Sequence, residues 1–113
     1  MQRHDLIRLH HMLDSAREAE AFISGKDRSV LDSDRMLELA LVKCIEIIGE
    51  AASSISKRSR EELPHIPWTD IIAMRNRLIH AYFEINLDIL WKTVSEDLPP
   101  LISELENIIP SGK

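Results

Sequence analysis

The stretch SDRMLELALVKCIEIIGEAASSISK, running from Ser33 to Lys57, decides the fold. Met36, Leu37, Ala40, Leu41, Cys44, Ile45, Ile48, Ala51, Ala52 and Ile55 recur mostly at steps of three and four. That spacing gathers apolar side chains on one side of an α-helix. The face is broad enough to pack on more than one neighbour. Asp32 or Ser33 caps its start by offering a side-chain oxygen to an unpaired backbone N–H. Gly49 costs roughly 1 kcal/mol relative to alanine in a helix interior. A close crossing with another helix is the reason to keep it; mere tolerance is the alternative. Cys44 sits among Leu41, Val42, Ile45 and Ile48 and reads as a small buried hydrophobe rather than a reactive thiol. As the single cysteine, it leaves no internal disulfide.

The same periodicity extends outward. Leu6, Leu9, Leu13, Ala16, Ala19 (or Ala21) and Ile23 make Asp5–Ile23 an amphipathic helix, with Gly25 a natural stop beyond it. Pro64 and Pro67 break the pattern across residues 58–67. A third helix is expected from about Trp68 to Phe83, with Pro67 in its first turn, where a missing N–H has no intrahelical partner to lose. Trp68, Ile71, Ile72, Leu78, Ile79 and Phe83 supply its apolar contacts. Asn86 caps a fourth helix whose stripe is Leu87, Leu90, Trp91, Val94 and Leu98. Pro99 and Pro100 kink or divide it, and the stripe resumes at Leu101, Ile102, Leu105, Ile108 and Ile109. Three glycines and 4% aromatic residues argue against a sheet-rich chain. The expected architecture is all-α: a four-helix up-and-down bundle with a kinked or divided C-terminal helix, forming one domain over residues 1–113.

Charge narrows the function classes. The 113 residues carry a formal net charge of −5, so there is no bulk basic field for nucleic acid. The distribution is uneven, however. Residues 1–56 and 81–113 are net acidic, while residues 57–80 are net positive. A local phosphate-binding patch is compatible with that positive segment. The chain opens without a signal-peptide pattern, and no run approaches the ~18 apolar residues of a membrane span. A cytosolic protein is expected, with no membrane partner.

The positive segment contains Arg75-Asn76-Arg77-Leu78-Ile79-His80-Ala81-Tyr82. So many polar groups in an otherwise oily helix must face a cleft, a ligand or a second chain, because unpaired burial is costly. On a regular helix Asn76 and His80 share a face, and so do Arg75 and Tyr82. Arg75 and His80 stand about 140° apart and roughly 7.5 Å along the axis. Arginine's reach, or a second copy across a two-fold axis, closes that gap. The residue types suit phosphoryl transfer from RNA without a metal or other cofactor. His80 can take the 2′-hydroxyl proton or donate to the leaving oxygen. Arg75 can hold phosphate oxygens and the charge that develops on them. Asn76 can orient His80, Arg77 can hold the backbone, and Tyr82 can bind phosphate, stack or accept a modification. The plainer alternative is that these side chains form surface pairs or cap a helix end. Lys57, Arg58 and Arg60 are either a solvated face or an RNA contact. His4, His10 and His11 read as surface histidines without metal-ligand spacing, and His65 as part of the proline turn. Trp68 and Trp91 read as packing residues. Glu46 and Glu50 read as an exposed pair of like charges. There is no Walker loop, dinucleotide fingerprint, zinc finger or EF-hand.

The octapeptide resembles the Arg-x4-His-x-Tyr signature of HEPN-domain proteins, in their HepT-like branch. The resemblance covers nearly the whole chain. It includes the region around Asp5, Glu46-Ile47-Ile48-Gly49-Glu50-Ala51, the approach through Trp68, and Leu90-Trp91 followed by Asp97-Leu98-Pro99. It implies a helical homodimer whose motif residues face a common cleft. It also implies a metal-independent endoribonuclease toxin, paired with a minimal nucleotidyltransferase antitoxin that transfers AMP to Tyr82. Arg75 and His80 become the catalytic pair, and Asn76 their support. The competing reading is a non-catalytic helical adaptor for such a nucleotidyltransferase.

Overall fold

Helix α2 (Arg35–Ser53) is the centre of the molecule and buries Leu37, Leu41, Val42, Cys44, Ile45, Ile48, Ala51 and Ala52. So long an apolar face needs two neighbours. One is α1 (Arg3–Ile23), which contributes Leu9, Met12, Leu13, Ala16 and Ala19 to the same core. The other is α4 (Trp68–Leu78), which contributes Ile71, Met74 and Leu78. The computed structural model describes residues 1–80 and 84–109, with Ile79 and His80 described by their backbone. Among these residues the fold is all-α apart from one two-residue ladder.

The start of α2 lies later than expected because the preceding residues form their own 3-10 turn, Arg28–Asp32, capped by Asp27. Asp34, rather than Asp32 or Ser33, accepts the Leu37 N–H at 2.9 Å. Helix α2 also stops earlier, at Ser53. Its expected last residue, Lys57, opens a separate short helix, α3 (Lys57–Glu62), in a stretch that periodicity alone reads as a break. The proline turn after α3 is pinned by Trp68, whose indole N–H lies 3.1 Å from Arg60 O and 3.0 Å from Leu63 O.

The expected C-terminal division is present, but its place differs. Helix α5 (Leu87–Lys92) is capped by Asn86, which accepts the Ile89 N–H at 3.0 Å. It runs into a π-helical turn at Thr93–Asp97 and then into α6 (Leu98–Ile108). The irregularity thus precedes Pro99 and Pro100. Both prolines lie in the first turn of α6, where their missing N–H groups are tolerated. Leu90, Val94, Leu98, Leu101, Ile102 and Leu105 stay on the core side throughout, and α6 packs on α1.

The link between α1 and α3 is a buried carboxylate. Asp5 is fully enclosed. It accepts the Ser56 N–H at 2.9 Å, the Ser56 hydroxyl at 2.7 Å and the Ser59 hydroxyl at 2.6 Å. Ser56 simultaneously caps α3 through Ser59 N at 3.2 Å. The Ser59 hydroxyl, then the Ser56 hydroxyl and amide, favour the ionised form more than burial opposes it, and the carboxyl is lowered to about 2. A folded-state value below the unfolded one means that the stabilisation is complete above about pH 4 and disappears as pH falls toward 2. Asp5→Asn is therefore expected to cost about 2 kcal/mol at pH 7, with a smaller gap from wild type at pH 3. Urea unfolding at both pH values measures this. Coincident curves at pH 7 would show that the cage holds nothing.

Candidate functional site

Where α4 crosses α2, Gly49 removes a side chain from the contact. A Cβ built there would stand 3.6 Å from Ile71 O and 3.7 Å from Ile72 O. The helices are therefore close enough to leave room for a methyl group and little more. Beside the crossing lies an open groove of about 340 Å³, with Glu46, Gly49, Glu50 and Ser53 on the α2 side. Ile72, Arg75 and Asn76 line its α4 side.

Arg75 is half-exposed in this groove, and its Nε donates to Glu46 Oε2 at 2.6 Å. Glu46 is the less accessible partner, with 28% of its side chain exposed. A pair this open to water contributes at most about 1 kcal/mol to folding. Arginine carries five N–H donors. Among the described residues, Glu46 engages only the one on Nε, and the terminal nitrogens have no protein partner. Glu46 is the site residue that sequence reasoning missed. Its signal was its place on α2, three residues before Gly49, and this was obscured by Glu50 one turn away, which made both look like ordinary surface acids.

The octapeptide does not act as one surface. Two residues along a helix are about 200° apart, so Arg77 leaves the face that Arg75 occupies. Its Nη2 donates to Asp70 O at 2.7 Å, and it lines a different cleft of about 460 Å³ together with His65, Met74, Lys92 and Glu104. The α3 cations are elsewhere again. Arg58 is 89% exposed and borders a cavity beside Ser56 and Ser59, 3.7 Å from Glu62. Lys57 is exposed, and the Nε of the partly buried Arg60 is enclosed without a hydrogen-bond partner among the described residues. Arg75 and Asn76 are thus brought together, while Arg77, Lys57, Arg58 and Arg60 do not line their groove.

The helix expected to run to Phe83 ends at Leu78. The Leu78 carbonyl is taken by Asn86 N–H at 2.7 Å, and Ile79 and His80 pair antiparallel with Ile85 and Glu84. Asn86 therefore both closes α4 and caps α5. His80 follows α4 in a short strand, so helical spacing from Asn76 or Arg75 does not locate it. Tyr82 lies outside the described residues. The Cys44 thiol is buried, and burial pushes its pKa up, as suits a packing residue. Among the described residues no group of three His, Cys, Asp or Glu converges as metal ligands would, and no helix is long and apolar enough to cross a membrane.

Comparison with known proteins gives this geometry a context. The family described as "Ribonuclease HepT-like" matches residues 12–108. A Methanocaldococcus jannaschii protein named "Putative RNase MJ1380" is 38% identical over 98 residues, covering 87% of this chain and 90% of that protein. "Probable ribonuclease HepT" of Thermococcus cleftensis is 41% identical over 75 residues, covering 66% and 68%. "Putative RNase TTE0752" of Caldanaerobacter subterraneus is 33% identical over 105 residues, covering 93% and 94%. No solved structure matches significantly. With nearly all of the helical core inside the matched region and Arg75 at the α2–α4 groove, the chain belongs to the HepT-like ribonuclease family.

Proposed function

We propose that this protein is a metal-independent endoribonuclease toxin, with Arg75 and His80 as its catalytic pair. The observation that carries this reading is an arginine of the octapeptide, half-exposed in a groove and, among the described residues, held through Nε alone. A phosphodiester in that groove would meet the terminal nitrogens of Arg75, whose planar fork matches two phosphate oxygens. His80 takes the proton from the ribose 2′-hydroxyl as the 2′-oxygen attacks phosphorus. The bond from phosphorus to the 5′-oxygen breaks, and that oxygen is protonated as it leaves. The products are a 2′,3′-cyclic phosphate and a 5′-hydroxyl. Asn76, on the same groove, supports the pair. Arg77 and the α3 cations Lys57, Arg58 and Arg60 contact RNA phosphates beyond the groove.

A second copy completes the cleft. Met36, Leu39 and Lys43 succeed one another on α2 at steps of three and four, so they form one stripe. Met36 is 83% and Leu39 48% exposed, unusual for large apolar residues on the central helix. The exposed Met36 and Leu39 suit pairing of two α2 helices across a two-fold axis. Neutralisation falls to a minimal nucleotidyltransferase antitoxin. It transfers AMP from ATP to the Tyr82 phenol oxygen, and pyrophosphate leaves. The added phosphate puts negative charge on the motif that carries Arg75.

Three outcomes check these statements. In EDTA, purified protein should cleave RNA to cyclic-phosphate ends, and His80→Ala or Arg75→Ala should each slow cleavage by about 100-fold or more. Unchanged rates in both variants would sink the catalytic assignment. Light scattering at micromolar concentration should report a dimer and Leu39→Lys a monomer; a wild-type monomer removes the shared cleft. Mass spectrometry after incubation with ATP and the antitoxin should find adenylylated Tyr82, and Tyr82→Phe should stay toxic in the antitoxin's presence. Neutralisation of Tyr82→Phe refutes that switch.

A further inference from the structure

The Glu46 carboxylate has no part in the catalytic chemistry described above, yet it makes the shortest ion pair of the groove, 2.6 Å to Arg75 Nε. The pair joins α2 to α4 across 29 residues of sequence. It also leaves the terminal nitrogens, the end that a phosphate would use, unclaimed by any described residue. A flexible arginine can visit many rotamers, and fixing it in advance lowers the entropy lost when substrate arrives. We propose that Glu46 is a positioning residue for RNA cleavage, holding Arg75 by Nε so that its terminal nitrogens are preset for the scissile phosphate. This rests on the assignment of Arg75 as the phosphate-binding residue.

Simple electrostatics predicts the opposite sign. Glu46 and Glu50 line one groove, and either carboxylate repels an RNA phosphate. If repulsion were the whole role of Glu46, removing its charge would improve activity. Glu50 is exposed and has no bond to Arg75, so it reports that repulsion alone. The two acids therefore separate positioning from charge within one site.

The experiment measures kcat/KM of the full chain on a fluorophore-quenched RNA oligonucleotide of mixed sequence, in EDTA, with thermal unfolding of each variant alongside. Glu46→Ala is expected to lower kcat/KM by about 10- to 100-fold with an unchanged thermal midpoint. Glu46→Gln keeps an oxygen that accepts from Nε and should fall between wild type and Glu46→Ala. Glu50→Gln should raise kcat/KM. In an Arg75→Ala background, adding Glu46→Ala should cost nothing more, because the group it positions is gone. The proposal is overturned if Glu46→Ala matches or exceeds wild type, if Glu46→Gln and Glu50→Gln shift in the same direction, or if the Glu46 and Arg75 losses multiply. An Arg75→Ala variant as fast as wild type would instead remove the underlying site assignment.

Discussion

Helix α2 has to be buried on two sides, and the way this is satisfied sets the rest of the molecule. Its apolar surface is too broad for one partner, so α1 covers one side and α4 the other. At the α4 contact Gly49 faces the Ile71 and Ile72 carbonyls, with room for a methyl group and little more. The same crossing holds Glu46 and Arg75 within hydrogen-bond distance across two helices. A larger residue at Gly49 would press on backbone atoms, which cannot rotate away as a side chain can. The groove is therefore a product of core packing, although its chemistry is carried by exposed groups.

The magnitudes separate what folds the chain from what equips it. Leu9, Met12, Leu41, Ile45, Ile48, Leu78, Leu90, Leu98 and Leu105 are all fully buried. Each contributes roughly 1.5–3 kcal/mol from burial. The exposed pairs Arg17–Glu106 and Arg28–Asp88 lie in water, where such a pair is worth at most about 1 kcal/mol. Glu46–Arg75 belongs with these in energy, but it differs from them in lining the groove between α2 and α4. Asp5 differs from the carboxylates of these exposed pairs. It is enclosed, ionised and satisfied by three donors, so it acts as a structural tie between the first helix and α3.

Periodicity revealed what depends on apolar spacing. The cores of α1 and α2, the start of α4, the burial of Cys44 and the cap at Asn86 follow from residue type and step length alone. Two of the features it missed depend on polar partners outside the local pattern. Helix α3 is organised by Ser56 and Ser59 around an aspartate about fifty residues earlier. The end of α4 is set by an N–H from Asn86, which no local pattern around Leu78 announces. The π-turn at Thr93–Asp97 looks like plain helix in sequence because its apolar stripe continues, and only the prolines that follow hint at an irregularity. Helical spacing pairs Asn76 with His80 and Arg75 with Tyr82, whereas the groove brings Arg75 and Asn76 together. Arg77 looked equivalent to Arg75 because adjacency in sequence conceals a half-turn of helix, and Glu46 was concealed by its like-charged neighbour.

The acidic balance of the chain is compatible with an RNA substrate once range is considered. Long-range attraction depends on net charge, which is −5, and fades over about 10 Å at 0.1 M salt. Contact recognition depends instead on directed donors. Pairing with Glu46 cancels much of the far field of Arg75 but uses one of its five N–H groups. With Arg75 as the proposed phosphate site, the groove would attract polyanions weakly from a distance and still offer a fork to a phosphate that reaches it. A site of this kind favours discrimination at contact over indiscriminate capture of nucleic acid, since non-specific binding is supplied mainly by the electrostatic term that Glu46 and Glu50 reduce.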